Sequence, residues 1–222
     1  MILRNFIVFE GIDGAGTTTQ TSLLKNHPAT EKFLFTAEPT KSETGLFLRR
    51  MLSGEVKVSN ETAAYLFAAD RNEHINGPLV IENDRQLVTG LVEAQKKGFF
   101  TVSDRYLFSS LAYQSINCDP KIPEVLNQFF PLPRLLVFLD IEPSKALERM
   151  SGRNSREIYE KEDFLIKTTE SYRRVIQEFS RPEKADGMEL MVLDATETPE
   201  EIHRTVWNKI CGIYPELKLN EK

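Results

Sequence analysis

Phe6-Ile7-Val8-Phe9-Glu10-Gly11-Ile12-Asp13-Gly14-Ala15-Gly16-Thr17-Thr18 is the stretch that decides the fold. Its first four residues form a short apolar run of the kind that makes a strand covered on both faces. From Gly11 the chain follows the phosphate-binding pattern Gly-x-x-x-x-Gly-Lys-[Ser/Thr] at every place but the seventh, where Thr17 stands instead of lysine. A helical pattern leads out from Thr18. Gly11, Gly14 and Gly16 let the backbone turn tightly and approach phosphate oxygens without a Cβ in the way. Backbone amides and the following helix N-terminus supply a positive field, and Thr18 is placed to offer its hydroxyl to Mg²⁺. A glycine-rich turn that binds nothing is the plain alternative; the flanking strand, the spacing and Thr18 weigh against it.

Thr17 complicates the motif. A lysine there delivers a point charge to the β- and γ-phosphates, and threonine offers a neutral hydroxyl. One lost charge-assisted hydrogen bond is worth roughly 1.5–3 kcal/mol, on the order of tenfold to a hundredfold in rate if felt only in the transition state. Lys25, Lys41 or an arginine from a lid would fill the deficit, or it stays unfilled; the sequence leaves both open.

Outward from this loop, strand-like runs recur at Phe6–Glu10, Lys32–Ala37, Phe99–Asp104, Leu135–Asp140 and Glu189–Asp194. Between them lie helical patterns at about Thr18–Asn26, Thr44–Ser53, Asn60–Ile75, Asn83–Lys97, Ser109–Ile116, Pro143–Met150, Asp163–Arg181 and Pro199–Cys211. A small helical insert sits among Pro120, Pro123, Pro131 and Pro133. Alternation of strand and helix predicts a doubly wound α/β fold with a parallel five-stranded sheet. Ligands bind beyond the carboxyl ends of such strands. The loop, Glu38-Pro39-Thr40, Asp104-Arg105-Tyr106 and Asp140 all fall at such ends.

The bulk numbers agree. The 222 residues fit one large domain, and no domain boundary or repeat stands out over 1–222. With 41% apolar and 27% charged residues the composition is that of a soluble globular protein. A net charge of −5 disfavours a broad nucleic-acid footprint. Cys118 and Cys211 lack metal-ligand spacing and suit a reducing cytosol. No secretory signal and no apolar run long enough to span a membrane precedes or interrupts the pattern.

Candidate binding residues cluster by spacing. Phe67 and Arg71 are four apart on one helix face, as are Ser110 and Gln114. An arginine fork at Arg105 suits a phosphate, and Asp104 beside it can hold a Mg²⁺-bound water or orient the attacking phosphate. A carboxamide at Gln114 can both donate to and accept from a pyrimidine edge. Each has a plainer reading: a core Phe67, a surface ion pair for Arg71, a strand-end salt bridge for Asp104-Arg105, and an amphipathic helix with Tyr113 in the core.

The markers Glu10-Gly-Ile-Asp-Gly-Ala-Gly16, Glu38-Pro39-Thr40, Leu66-Phe-Ala-Ala-Asp-Arg71, Asp104-Arg105-Tyr106 and Ser109-Ser-Leu-Ala-Tyr-Gln114, taken in order, resemble the thymidylate kinase family from Phe6 to about Trp207. The resemblance implies transfer of the terminal phosphoryl group of ATP to thymidine monophosphate, with Mg²⁺, in a cytoplasmic homodimer without nucleic-acid or membrane partners. It implies ATP on residues Gly11, Ile12, Asp13, Gly14, Ala15, Gly16, Thr17, Thr18 and Thr19. It places Phe67 on the thymine ring, Gln114 near the base, and Tyr113 against the sugar, where its bulk disfavours a 2′-hydroxyl. Asp13 bonds the sugar 3′-hydroxyl. Glu38, Arg49, Arg71, Ser110 and Arg105 belong to the acceptor side, and Thr18 and Asp104 to the metal. The segment at about 149–160 resembles the lid, with Arg149, Arg153 and Arg156 over the donor phosphates. Ala15 matches the branch of the family that uses lid arginines rather than one in the loop.

Thr17, and Ala37 where many relatives carry arginine, depart from the pattern and remove positive charge. Two other readings therefore stay open. One is a kinase for another pyrimidine nucleotide or a nucleoside. The other is a nucleotide-binding protein with impaired catalysis.

Overall fold

The computed structural model describes residues 1–78, 80–82, 87–151 and 162–220. In chain order the elements are β1 (Ile2–Glu10), α1 (Thr17–Lys25), β2 (Phe33–Ala37), α2 (Glu43–Leu52), α3 (Asn60–Asn76), β3 (Val80–Glu82), β4 (Leu87–Thr89), α4 (Gly90–Lys96), β5 (Phe100–Asp104), α5 (Leu107–Asn117), α6 (Lys121–Asn127), β6 (Leu132–Asp140), α7 (Pro143–Met150), α8 (Glu162–Phe179), α9 (Pro182–Ala185), β7 (Glu189–Asp194) and α10 (Pro199–Ile213).

Five of the strands form one parallel sheet in the order β2-β5-β1-β6-β7. Successive residues of a strand point to opposite faces. Ile7, Val8 and Phe9 of β1 and Leu135, Leu136 and Val137 of β6 are all fully buried, so both faces of the sheet are covered. This is the expected α/β architecture. Phe9 pairs with Asp104 and Ala37 with Asp104 in register, so the carboxyl ends of β1, β2 and β5 finish side by side. Three loops with polar residues are thereby delivered to one edge.

Most predicted boundaries hold to within one or two residues. β1 and β6 begin earlier than predicted, because Ile2 and Leu3 pair with Leu132 and Pro133 before a register shift ahead of Ile7. The helix predicted over Asn83–Lys97 is corrected. Leu87-Val88-Thr89 is a strand, antiparallel to Val80–Glu82, and the helix starts only at Gly90. β-Branched Val88 is buried in the core beside Ile81. Gly90 has φ 71°, and a Cβ there would lie 2.8 Å from the Ile75 carbonyl oxygen. A left-handed turn pressed against α3 breaks the helical pattern at that point. Residues 83–86 lie outside the described residues. No helix among the described residues is long and apolar enough to cross a membrane.

Candidate functional site

β1 ends at Glu10 and the chain turns at once. Gly11 lies flat against the sheet, where a Cβ would meet the Leu139 carbonyl oxygen at 2.9 Å. Gly14 and Gly16 take φ 86° and 102°. A Cβ on Gly14 would press on the Ala146 carbonyl, whereas beside Gly16 there is open space. α1 follows with a glycine cap, no side chain closing its first turn and no acid within it. An uncapped helix N-terminus facing space is suited to an anion.

A cleft of about 570 Å³ opens from this loop. Asp13 through Thr19 line one part, excluding the buried Gly11 and Ile12, which shape the turn from beneath. Thr17 is buried on the wall, with no hydrogen bond from its hydroxyl among the described residues. Thr18 Oγ1 donates to Asp104 Oδ2 at 2.5 Å. Asp104 Oδ1 is buried with no partner among the described residues. An orphan carboxylate oxygen next to a hydroxyl is a hard-oxygen set that fits Mg²⁺, an ion that takes one or two carboxylates and completes its shell with phosphate and water. Among the described residues no group of three or more His, Cys, Asp or Glu could hold a metal by itself.

Arg105 stands at the junction of β5 and α5 with φ 74°, rare for a residue with a side chain. Its backbone N–H donates to the Phe9 carbonyl at 2.9 Å. Its Nη2 donates to Asp13 Oδ1 at 2.6 Å, and its Nη1 donates to the carbonyl oxygen of Gly11 at 2.6 Å and to Tyr172 Oη at 3.1 Å. Asp13 also accepts from Tyr113 Oη at 3.1 Å. Burial pushes the phenols of Tyr106, Tyr113 and Tyr172 well above their ordinary value, so they act as neutral donors. The plain reading of a local strand-end salt bridge between Asp104 and Arg105 is not what forms: Arg105 pairs with Asp13 of the loop and Asp104 with Thr18, and all four residues line the cleft.

The other end of the cleft lies between α2, α3 and α5. α3 is capped by Ser59, and Phe67, Arg71 and His74 fall on one of its faces. Phe67 is half-buried, packed against the small apolar cluster of Leu48, Met51, Leu52 and Ala63. Arg71 is fully buried, so the surface ion-pair reading fails. Its Nη2 donates to Glu38 Oε2 at 2.7 Å and to Ser110 Oγ at 3.1 Å, its Nη1 donates to Asn127 Oδ1, and its guanidinium lies near the rings of Tyr106 and Phe130. Glu38 Oε1 meets His74 Nδ1 at 2.9 Å, so both carboxylate oxygens are taken. Gln114 lines the cleft with a buried Oε1 that has no partner among the described residues. Arg49 lines it too, donating to the Pro39 carbonyl.

Several expectations change. Asp140, at the end of β6, is paired with Arg173 and does not line the cleft. Arg153 and Arg156 lie outside the described residues, as does the 152–160 part of the lid segment. Arg149 is described. It donates from Nη2 to the Ala195 carbonyl at 2.7 Å, and from Nη1 to the loop carbonyls of Gly14 and Ala15 at 3.4 and 3.5 Å. Lys25 and Lys41 line a neighbouring cleft of about 270 Å³, which shares Thr18, Ala37, Pro39, Arg49 and Asp104 with the larger one. Sequence reasoning missed Ala195, Glu197, Pro199 and Ile202, which close the end of the larger cleft beyond Arg149. It also missed Asp70, which gathers the hydroxyls of Thr40, Ser42 and Thr44 and so shapes the loop after β2. The Thr198-Pro199-Glu200-Glu201 capping box marks a helix start at that wall and was the one local signal for it.

A thymidylate kinase family model matches residues 9–206. A protein named "Probable thymidylate kinase" from Methanococcus aeolicus is 36% identical over 209 residues, 94% of this chain and 96% of its own length. One of the same name from Methanocaldococcus jannaschii is 36% identical over 214 residues, 96% of each chain. Another from Thermococcus onnurineus is 32% identical over 213 residues, 90% of this chain and 94% of its own.

Proposed function

Because the chain belongs to the thymidylate kinase family, we propose that it transfers the terminal phosphoryl group of ATP to thymidine monophosphate, giving thymidine diphosphate for DNA precursor synthesis. One observation carries the reading. A single cleft joins the uncapped loop–helix junction to the Phe67–Gln114 end, with Asp104 and Arg105 between them. That is the layout needed to bring two nucleotides together by their phosphates.

In this reading ATP lies on the loop of Asp13–Thr19, its base end toward Ala195 and Pro199. The monophosphate lies with its base between Phe67 and Gln114, whose free Oε1 accepts from the pyrimidine N–H. Asp13 and Tyr113 meet the sugar. Arg105 and Arg49 meet the acceptor phosphate, over a floor made by Arg71, Glu38 and Ser110. The acceptor oxygen is already anionic, so it attacks the γ-phosphorus and ADP leaves without a general base. The protein's work is alignment and charge neutralisation. Mg²⁺, held by Thr18 and Asp104 with water, would neutralise the phosphates in transit. Arg149, bonded to the loop carbonyls of Gly14 and Ala15, would stand at the base of the lid expected from sequence, most of which lies outside the described residues.

With Thr17 neutral, Arg105 and Arg149 are the described cations hydrogen-bonded to loop carbonyls. A second reading, a nucleotide-binding protein without turnover, draws mainly on Thr17, with Ala37 as the second departure. The test is ADP formation measured together with conversion of thymidine monophosphate to diphosphate. The native chain is expected to form both in equal amounts, and Thr17→Lys to change kcat by no more than about tenfold. Monophosphate binding without conversion would favour the binding protein or a different phosphoryl donor. Rescue by Thr17→Lys would then place the defect at the loop.

The acceptor end makes its own prediction. Gln114→Leu removes the carboxamide but keeps the bulk. KM for thymidine monophosphate is expected to rise about tenfold to a hundredfold, the worth of a hydrogen bond to a buried polar edge, with KM for ATP unchanged. Steady-state kinetics with each substrate varied checks it; an unchanged acceptor KM would move the base elsewhere.

A further inference from the structure

Glu10, the last residue of β1, is fully buried and belongs to no part of the site so far assigned. Its Oε1 accepts from the backbone N–H groups of Tyr106 at 2.8 Å and Ser109 at 3.1 Å. These are the cap and third positions of α5, whose own cap residue gives no side-chain bond. Glu10 thus closes the N-terminus of α5 from a different strand, and a carboxylate suits that end of a helix dipole. Its Oε2 is in contact with Ser109 Oγ at 2.7 Å and Tyr172 Oη at 2.8 Å, and those two oxygens lie 2.7 Å apart. Tyr172 Oη in turn accepts from Arg105 Nη1 at 3.1 Å.

On the reading that Arg105 meets the acceptor phosphate, we infer that Glu10 is a positioning residue for phosphoryl transfer: its carboxylate fixes the start of α5 and, through Tyr172, the guanidinium of Arg105. The triangle of oxygens explains how. When Glu10 is ionised, both hydroxyl protons turn to Oε2, and a lone pair of Tyr172 is left to accept from Arg105. When Glu10 is protonated, its own O–H needs an acceptor, and Ser109 Oγ and Tyr172 Oη are the oxygens beside it. Tyr172 is then redirected and Arg105 loses a partner, keeping Asp13, the Gly11 carbonyl and the longer contact to Ser109 Oγ at 3.4 Å.

Among the described residues, the titratable and polar groups around this carboxyl come from two regions, the β5–α5 segment and α8. They are Arg105 and Tyr106 from the β5–α5 junction, Ser109 and Tyr113 from α5, and Tyr172 from α8, with Asp13 behind Arg105. Burial raises the carboxyl from its ordinary 4.5 to about 7, against the opposing pull of the Arg105 charge and the three hydrogen-bonding residues. Both protonation states are therefore populated near neutral pH, and the ordered arrangement gains as pH rises.

The experiment compares the native chain with Glu10→Gln and Tyr172→Phe between pH 5.5 and 9. The native kcat is expected to rise through a midpoint near 7. Glu10→Gln is expected to lose that limb and about tenfold in kcat, with KM for ATP unchanged. The acceptor phosphate's second ionisation, near pH 6, persists in every variant. Tyr172→Phe removes a donor to the carboxylate, so its midpoint is expected to move up. A second readout needs no turnover. The side-chain NMR signal of Arg105, assigned with Arg105→Lys, should titrate with the Glu10 carboxyl in the native protein, stop doing so in Glu10→Gln, and follow the displaced midpoint in Tyr172→Phe. A native-like kcat profile in Glu10→Gln, or an Arg105 signal indifferent to both substitutions, overturns the inference. Should the native chain fail to turn over while Arg105 still titrates with Glu10, it is the kinase reading that falls. If Glu10→Gln does not fold, Tyr172→Phe carries the same two readouts.

Discussion

Arg105→Ala lowers kcat by about three orders of magnitude, the scale of a transition-state arginine, while the protein stays folded. The side chain is held by Asp13, Gly11 and Tyr172 in a cleft rather than in the core. Its loss frees one face of Asp13, which keeps Tyr113. The backbone supplies a control. At φ 74° any side chain is strained by roughly 1–2 kcal/mol, and glycine is not. Arg105→Gly is thus expected to be more stable than Arg105→Ala by about 1 kcal/mol, and equally inactive. Arg105→Lys keeps the charge without the fork and should fall between. Product formation beside urea unfolding separates the two effects. Turnover within threefold of native in Arg105→Ala would remove Arg105 from the phosphate's path.

The second large effect is on stability. Glu38→Ala leaves the Arg71 guanidinium buried without its counter-charge, and His74 without its carboxylate. Breaking one side of such a pair costs about 3–5 kcal/mol, which for a chain of this size lowers Tm by on the order of 10 °C. Adding Arg71→Met to Glu38→Ala should recover part of the loss, because the stranded charge goes with it. Urea and thermal unfolding of the single and double variants test this. A Glu38→Ala variant within 1 kcal/mol of native would mean that water reaches Arg71. The same substitution unsettles the floor of the acceptor end, so KM for the monophosphate should rise with it.

The contrast between these two residues shows what the sequence could reveal. Arg105 and Asp104 were legible because a strand end in a parallel sheet has a known destination, and local pattern gives the strand. The loop of Gly11–Thr18 was legible because its chemistry is contiguous. Phe67 and Gln114 followed from helical spacing once their neighbours were named. Glu38 and Arg71 were singled out, but not as partners: they are 33 residues apart, and only the tertiary fold makes them a buried pair with His74. Glu10 read simply as the end of a strand, since its four hydrogen-bond contacts come from 96 to 162 residues away. The β3–β4 pair was misread because three residues are too few to show a period even where Val88 and Thr89 are β-branched, and its decisive contact, Gly90 against Ile75, is tertiary.

The strand order bears on how the chain is made. β1 sits in the middle of the sheet, yet its two neighbours are β5 and β6. Phe6, Ile7, Val8 and Phe9 are synthesised well before β5 and meet their earliest sheet partner only when Asp104 has been added. At ordinary rates of synthesis that is a wait of roughly 5–20 s for some 95 residues. Through that interval the apolar run of a central strand is unpaired on both edges, a length of chain for a chaperone to hold. Slowing translation between β1 and β5 prolongs this exposure; slowing it after β6 does not.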